Sequence, residues 1–118
     1  MAWGAADNGV VKVMYMDGTY DWPNRDLYGI TLATSTDGGN TWSFQQVDTA
    51  LSDPDHSIWF RANIAGCEQC SRFIGDYNGL AIDSLGRAHV IWADMRRTTT
   101  VPEIGRTGKP GDVDYARR

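Results

Sequence analysis

The stretch that decides the fold is residues 35–42, with the sequence STDGGNTW. It follows the pattern S-x-D-x-G-x-T-W, and its five fixed positions are Ser35, Asp37, Gly39, Thr41 and Trp42. Glycines at the centre tolerate the positive φ angles of a tight turn. The Asp37 carboxylate can accept hydrogen bonds from backbone N–H groups of the same turn. We therefore expect a hairpin turn here; the plainer alternative is an ordinary hairpin with Asp-Gly at its tip.

Composition and charge limit the classes of protein that the chain can belong to. Its 118 residues suffice for one domain with a modest core. The net charge of −4, without a basic cluster, argues against nucleic acid as a partner. Apolar runs are too short for a transmembrane span, so no membrane partner is predicted. Residues 1–7 lack signal-peptide features, so either the protein is not exported by that route or its true N-terminus is missing.

Short alternating apolar runs outside the turn predict strands. They cover residues 10–16, 28–34, 42–47, 77–83 and 88–93, with a last short strand at residues 113–115. Residues 84–87 read as a hairpin turn, and residues 96–111 as a polar connection. Such runs, separated by turn-forming residues, are typical of an all-β fold.

An internal repeat relates the two halves of the chain. Residues 13–17 resemble residues 90–94, and residues 30–35 resemble residues 113–118, at offsets of 77 and 83. The repeat divides the chain into a first unit at 1–50 and a second unit at 76–118. A long loop, 51–75, connects them. In this alignment the second unit stops where a second turn of the 35–42 type would begin.

The pattern of residues 35–42 resembles the Asp box of sialidases and other BNR-repeat β-propellers. Residues 73–94 resemble the closing blades of bacterial sialidase-like BNR proteins. The resemblance implies a partial β-propeller of the six-bladed type, with about two incomplete four-stranded antiparallel blades. The first half would supply the second to fourth strands of one blade, and the second half the first to third strands of the next. Missing blades or other chains would complete the ring, and a homotrimer would give six blades.

The resemblance also implies functional residues. Arg25 corresponds to an arginine that holds the substrate carboxylate, and Tyr77 to the catalytic nucleophile. However, the F-R-I-P motif and the early Asp acid/base are absent, and neither Glu68 nor Glu103 can be assigned as the partner of the tyrosine. We therefore expect a glycan-related scaffold or binding module that is not catalytically complete alone. The alternatives are the C-terminal portion of an exo-sialidase-type glycoside hydrolase, or a unit for protein interaction.

Further residues have two or more interpretations each. Asp94 and Arg96 either line a pocket at the rim or form an ion pair at a strand end. Trp59 either stacks on a sugar or anchors the long loop. Asp48, with Asp53 and Asp55, could hold calcium, although a solvated acidic loop is the default and no cofactor is predicted.

The two cysteines form a lone CxxC motif at Cys67 and Cys70. A disulfide or two plain thiols is favoured over a zinc site completed by His56 and His89, and over a thioredoxin-like redox site. A disulfide would imply an oxidising compartment, and the family resemblance suggests a secreted or periplasmic protein.

Overall fold

The computed structural model describes residues 1–55, 57, 58, 74 and 78–118. Within that part of the chain there are nine β-strands, two 3-10 turns and no α-helix, so the predicted all-β class is confirmed. The strands are Ala2–Asp7 (β1), Val10–Asp17 (β2), Gly29–Ser35 (β3), Ser43–Gln46 (β4), Gly79–Ile82 (β5), Ala88–Asp94 (β6), Thr99–Val101 (β7), Arg106–Gly108 (β8) and Asp112–Arg117 (β9). The 3-10 turns are Gly18–Asp21 and Pro102–Ile104. No helical segment among the described residues is long and apolar enough to cross a membrane.

The first sheet is an antiparallel meander of four strands in the order β1-β2-β3-β4. Three of these strands were expected, so the prediction of an incomplete first unit is wrong. The additional strand, β1, pairs with β2 from Ala2↔Tyr15 to Asp7↔Val10. The connection is the two-residue turn Asn8-Gly9, in which both residues have positive φ (48° and 82°). An Asn-Gly turn is a strong hairpin signal, but the small residues of β1 hid the strand.

The second sheet has three strands in the order β5-β6-β9, all antiparallel. Between β6 and β9, the predicted polar connection of residues 96–111 contains a separate hairpin, β7-β8. No strand was predicted in this connection, but it contains two strands of three residues each, joined through the 3-10 turn Pro102–Ile104. Strands of this length are too short to show an alternating pattern in the sequence.

The strand registers of the two sheets reproduce the sequence repeat. In the first sheet Met14 pairs with Leu32. The residues at offsets of 77 and 83, Ile91 and Tyr115, pair in the second sheet. The same holds for every residue pair of the repeat that the structure describes, so β2-β3 and β6-β9 are equivalent units of structure as well as of sequence.

One apolar core lies between the two sheets. Its buried members come from β2, β3 and β6 and from the residues just before β3, just after β4 and just after β6: Met14, Tyr28, Ile30, Leu32, Val47, Ala88, Val90, Trp92 and Met95. Hydrogen bonds also connect the halves of the chain. The Tyr28 hydroxyl donates to the carbonyl of Ala93 at 2.8 Å, and the Ser52 hydroxyl donates to the buried Asp94 carboxylate at 3.3 Å. The sheets therefore share a single core.

Glycine at the start of β3 is required by packing, which gives a first prediction. A Cβ at Gly29 would lie 2.6 Å from Cδ2 of Tyr20 and 3.1 Å from Cδ2 of Leu51. Gly29→Ala must therefore displace the Tyr20 ring and should lower the free energy of unfolding by about 1–3 kcal/mol. Urea denaturation followed by tryptophan fluorescence measures this.

The matched control is Gly4→Ala in β1, where the added Cβ would lie 3.6 Å from the Lys12 carbonyl oxygen, an ordinary contact. Its free energy of unfolding should change by less than about 0.5 kcal/mol. Equal denaturation midpoints for the two variants would contradict the assigned packing of Tyr20.

Candidate functional site

The turn at residues 35–42 is organised by the carboxylate of Asp37. One oxygen, Oδ1, accepts hydrogen bonds from the Ser35 hydroxyl (2.8 Å) and from the Thr41 backbone N–H (2.9 Å). The other oxygen, Oδ2, accepts from the Thr41 hydroxyl at 2.6 Å. The Ser35 hydroxyl oxygen in turn accepts from the Gly39 N–H at 2.8 Å. The hydrogen bonds that the sequence led us to expect across this turn are therefore present.

The backbone and Trp42 complete the same turn. Gly38 and Gly39 have φ angles of 72° and 98°, which only glycine adopts without strain. The Trp42 indole N–H donates to the carbonyl of Gly39 at 3.0 Å. Its ring therefore packs on the turn itself rather than in the core, and 38% of the residue stays exposed.

A second carboxylate-centred turn lies in the other sheet. The sequence predicted a hairpin turn at residues 84–87, but not that Asp83 organises it. Asp83 accepts hydrogen bonds from the backbone N–H groups of Leu85 and Arg87, both at 2.9 Å, and from the Arg87 guanidinium at 2.8 Å. His89 lies 3.1 Å from the same carboxylate and 2.8 Å from the Tyr115 hydroxyl. The hydrogen bond with His89, followed by that from the Arg87 N–H, holds the pKa of Asp83 well below its usual range. The available signal was an aspartate placed just before a Gly-Arg turn.

The hydrogen bonds to Asp37 give a second prediction, on pH. The bonds from the Thr41 side chain and backbone, and then from Ser35, lower the pKa of Asp37 from 3.8 to about 2. A carboxyl group with a lower pKa in the folded state stabilises the fold above the unfolded value, and this contribution is lost as pH falls through the folded value. Chemical denaturation between pH 6 and pH 2 should therefore show part of the stability disappearing between about pH 4 and pH 2.

Asp37→Asn removes this titration, so the free energy of unfolding of the variant should depend less on pH in that range, which gives a flatter stability profile. The control is Asp26→Asn, which changes an exposed carboxylate in the loop before β3 and should leave the profile unchanged. A profile of Asp37→Asn that parallels the unmodified protein from pH 4 to pH 2 would refute the role given to Asp37.

A cleft of about 290 Å³ lies where the two sheets meet. One side is the segment that follows β4, and the other side is β9 with the end of β6. The lining residues are Val47, Asp48, Thr49, Trp92, Arg96, Asp114, Tyr115, Ala116, Arg117 and Arg118. The Arg118 guanidinium donates to the Val47 carbonyl at 2.6 Å and so connects the two sides. This cleft is a candidate binding site, since polar and charged side chains from both sheets converge on it.

Arg96 is the central charged group of the cleft. Its guanidinium donates to both oxygens of Asp94, at 2.7 and 3.0 Å, to the Asp114 carboxylate and to the Thr49 hydroxyl at 3.4 Å. Burial raises the pKa of Asp94, but the hydrogen bonds from Arg96 outweigh burial, and the pKa stays below its ordinary value. Arg96 therefore lines the cleft and forms an ion pair with Asp94 at the end of β6.

Arg25 lies outside the cleft around Arg96. It precedes β3 with a φ angle of 60°, and its guanidinium carbon sits 4.5 Å from the centre of the Trp22 ring, a cation–π contact. Its backbone N–H donates to the Asp21 carbonyl at 2.8 Å. Arg25 does not contribute to the lining of the cleft around Arg96.

Several predicted site residues lie outside the described residues. They are Tyr77, Trp59, Cys67, Cys70 and His56. For calcium, the described acidic residues form no group of three or more metal-binding side chains. One oxygen of Asp48 accepts the Ile30 backbone N–H at 2.9 Å, and Asp53 accepts the N–H of Asp55 at 2.9 Å. The geometry of the described acidic residues thus gives no support to a calcium site.

The ion pair of Arg96 gives a third prediction. Arg96→Ala leaves the Asp94 carboxylate, only 4% exposed, without its charged partner. Loss of one partner of a buried pair is strongly destabilising, so the free energy of unfolding should fall by about 3 kcal/mol. Thermal and urea denaturation at neutral pH measure this.

The neighbouring residue provides a matched control. The Arg97 side chain is 80% exposed and reaches Asp112 only at 4.0 Å, and exposed ion pairs contribute about 0–1 kcal/mol. Arg97→Ala should therefore change the free energy of unfolding by less than about 1 kcal/mol. Equal losses for the two variants would show that Asp94 does not depend on Arg96.

Comparison with known proteins identified no relative. No family model, no curated protein sequence and no solved structure matches this chain.

Proposed function

We propose that the chain is a sialidase-like BNR-repeat β-propeller module that binds carbohydrate in the cleft around Arg96 and does not cleave it. Three observations support this proposal. The turn at residues 35–42 has the hydrogen bonds expected from its Asp-box-like sequence. The registers of β2-β3 and β6-β9 repeat as those of successive blades would. The cleft lies between the two repeated units and is lined by polar side chains.

The chemistry of the cleft carries the proposal of a sugar ligand. Thr49 and Arg117 are exposed at its edge, and Asp48 and Asp114 supply carboxylate acceptors for sugar hydroxyl groups. Arg96 is fixed in place by Asp94 and Asp114, so it costs little conformational entropy to present to a ligand. A few fixed polar groups in a concave site are typical of small-molecule recognition.

The same ion pairs argue against hydrolysis in this cleft. A glycosidase needs a carboxylic acid that is protonated near neutral pH and a second group that acts as nucleophile or base. Arg96 keeps the pKa of Asp94 below its ordinary value, so Asp94 stays ionised and is a poor proton donor. The alternative of a glycoside hydrolase would depend on Arg25 and Tyr77. Of these, Arg25 stacks on Trp22, outside the cleft lining.

A titration monitored by two-dimensional NMR tests carbohydrate binding. The ligands are N-acetylneuraminic acid, galactose and N-acetylglucosamine, each added separately. We expect at least one of them to shift the backbone amide signals of Asp48, Thr49 and Asp114. Thr49→Val removes one hydroxyl group at the edge of the cleft, and loss of one hydrogen bond should weaken binding by about five-fold.

Thr100→Val is the matched control, because Thr100 is exposed in β7 and does not line the cleft. The Thr100→Val variant should bind the sugar with the same affinity as the unmodified chain. The proposal fails if none of the sugars shifts the cleft signals, or if both threonine variants lose affinity equally. Release of a fluorophore from a 4-methylumbelliferyl sialoside would instead favour the hydrolase alternative.

A further inference from the structure

Each sheet has a second apolar face, opposite the shared core. In the first sheet it carries Val11, Val13 and Tyr15, which are half-buried, and the exposed Phe44; we name this the β1–β4 outer face. In the second sheet it carries Ala81, His89, Ile91, Val113 and Tyr115, which we name the β5–β9 outer face. Phe44 is 66% exposed and Val113 is 77% exposed. Large apolar residues on a regular sheet face indicate a surface that packs against another element.

The register repeat shows how these faces relate to the core. Met14 and Leu32 face the core, and their equivalents in the second sheet, Ile91 and Tyr115, are exposed at 45% and 52%. Conversely, Val90 is buried, and its equivalent Val13 lies on the β1–β4 outer face. The two equivalent sheets therefore contribute opposite faces to the shared core. This is a head-to-tail contact, and it leaves one copy of each contact surface uncovered at either side of the chain.

We propose that the β5–β9 outer face of one molecule packs on the β1–β4 outer face of a second copy of this chain. The contact repeats, between molecules, the packing that already joins the two sheets within one molecule. A contact of this kind is heterologous, so it continues from copy to copy and either closes into a ring or remains open.

The edge strands of both outer faces carry small residues. On the β1–β4 outer face these are Ala2, Gly4 and Ala6 of β1, on the same side of the sheet as Val13. On the β5–β9 outer face they are Gly79 and Ala81 of β5, on the same side of the sheet as Ile91. Within the chain β1 already lies next to β5, so the same approach between two copies brings small residues together and lets the larger side chains beside them interdigitate.

Two polar side chains of the β5–β9 outer face, His89 and Tyr115, are already hydrogen-bonded. The ring nitrogens of His89 lie 3.1 Å from the Asp83 carboxylate and 2.8 Å from the Tyr115 hydroxyl. Burial of a polar group is costly only when its hydrogen bonds are lost. The face can therefore be covered by an apolar partner without leaving His89 or Tyr115 unsatisfied.

Sedimentation velocity and light scattering over a range of protein concentrations test the proposal. The unmodified chain should form oligomers, with a mass of two or more times the 13.1 kDa of one chain. Val113→Glu should block one face and Phe44→Glu the other, and each variant alone should be monomeric. Both residues are exposed, so the variants should stay folded, as circular dichroism can check. Leu85→Glu, at a residue 72% exposed in the Asp83 turn, is the control and should assemble like the unmodified chain.

Mixing the two variants distinguishes head-to-tail packing from other modes of association. Val113→Glu keeps a functional β1–β4 outer face, and Phe44→Glu keeps a functional β5–β9 outer face. An equimolar mixture should therefore form a one-to-one dimer and nothing larger. A monomeric unmodified chain at all concentrations would overturn the proposal, as would aggregation that neither variant relieves or a mixture that stays monomeric. The readout is independent of sugar binding.

Discussion

The packing of one sheet on the other is the interaction on which the rest of the structure depends. Met14 and Leu32 of the first sheet and Val90 and Trp92 of the second belong to one buried core, and neither sheet has a second large buried cluster of its own among the described residues. A sheet has to bury an apolar face against another element to form a stable domain in water. Each sheet therefore folds against its neighbour, which also fixes the place of every group that lies where they meet.

The cleft is the main consequence of that contact. Its two sides come from residues far apart in the chain, Val47–Thr49 and Asp114–Arg118, and only the packed sheets bring them together. The bond from Arg118 to the Val47 carbonyl and the bond from Ser52 to Asp94 hold the sides in register. Arg96 then serves two purposes: it neutralises a buried carboxylate and presents a rigid cation to the cleft.

The two carboxylate-centred turns, unlike the cleft, are held together by contacts between residues close in the chain. The Asp37 and Asp83 carboxylates each accept hydrogen bonds from backbone N–H groups of a tight turn that have no backbone partner. Each carboxylate bonds to residues that are near it in the chain. Such local bonds set the direction of the next strand and hence its register. They position the faces of the sheets but contribute no group to the cleft, so these turns bear on the fold rather than on activity.

The sequence by itself determined the local features. Residue alternation located six of the nine strands that the described residues form, and the spacing of residues 35–42 predicted the carboxylate-centred turn, because both depend on neighbours in the chain. The short or weakly apolar strands β1, β7 and β8 escaped detection since pairing, not pattern, defines them. Only the tertiary structure decided which sheet face is buried, that Arg96 joins Asp94 to Asp114, and that Arg25 lies apart from this group. Those outcomes depend on contacts between residues distant in sequence, which no local pattern records.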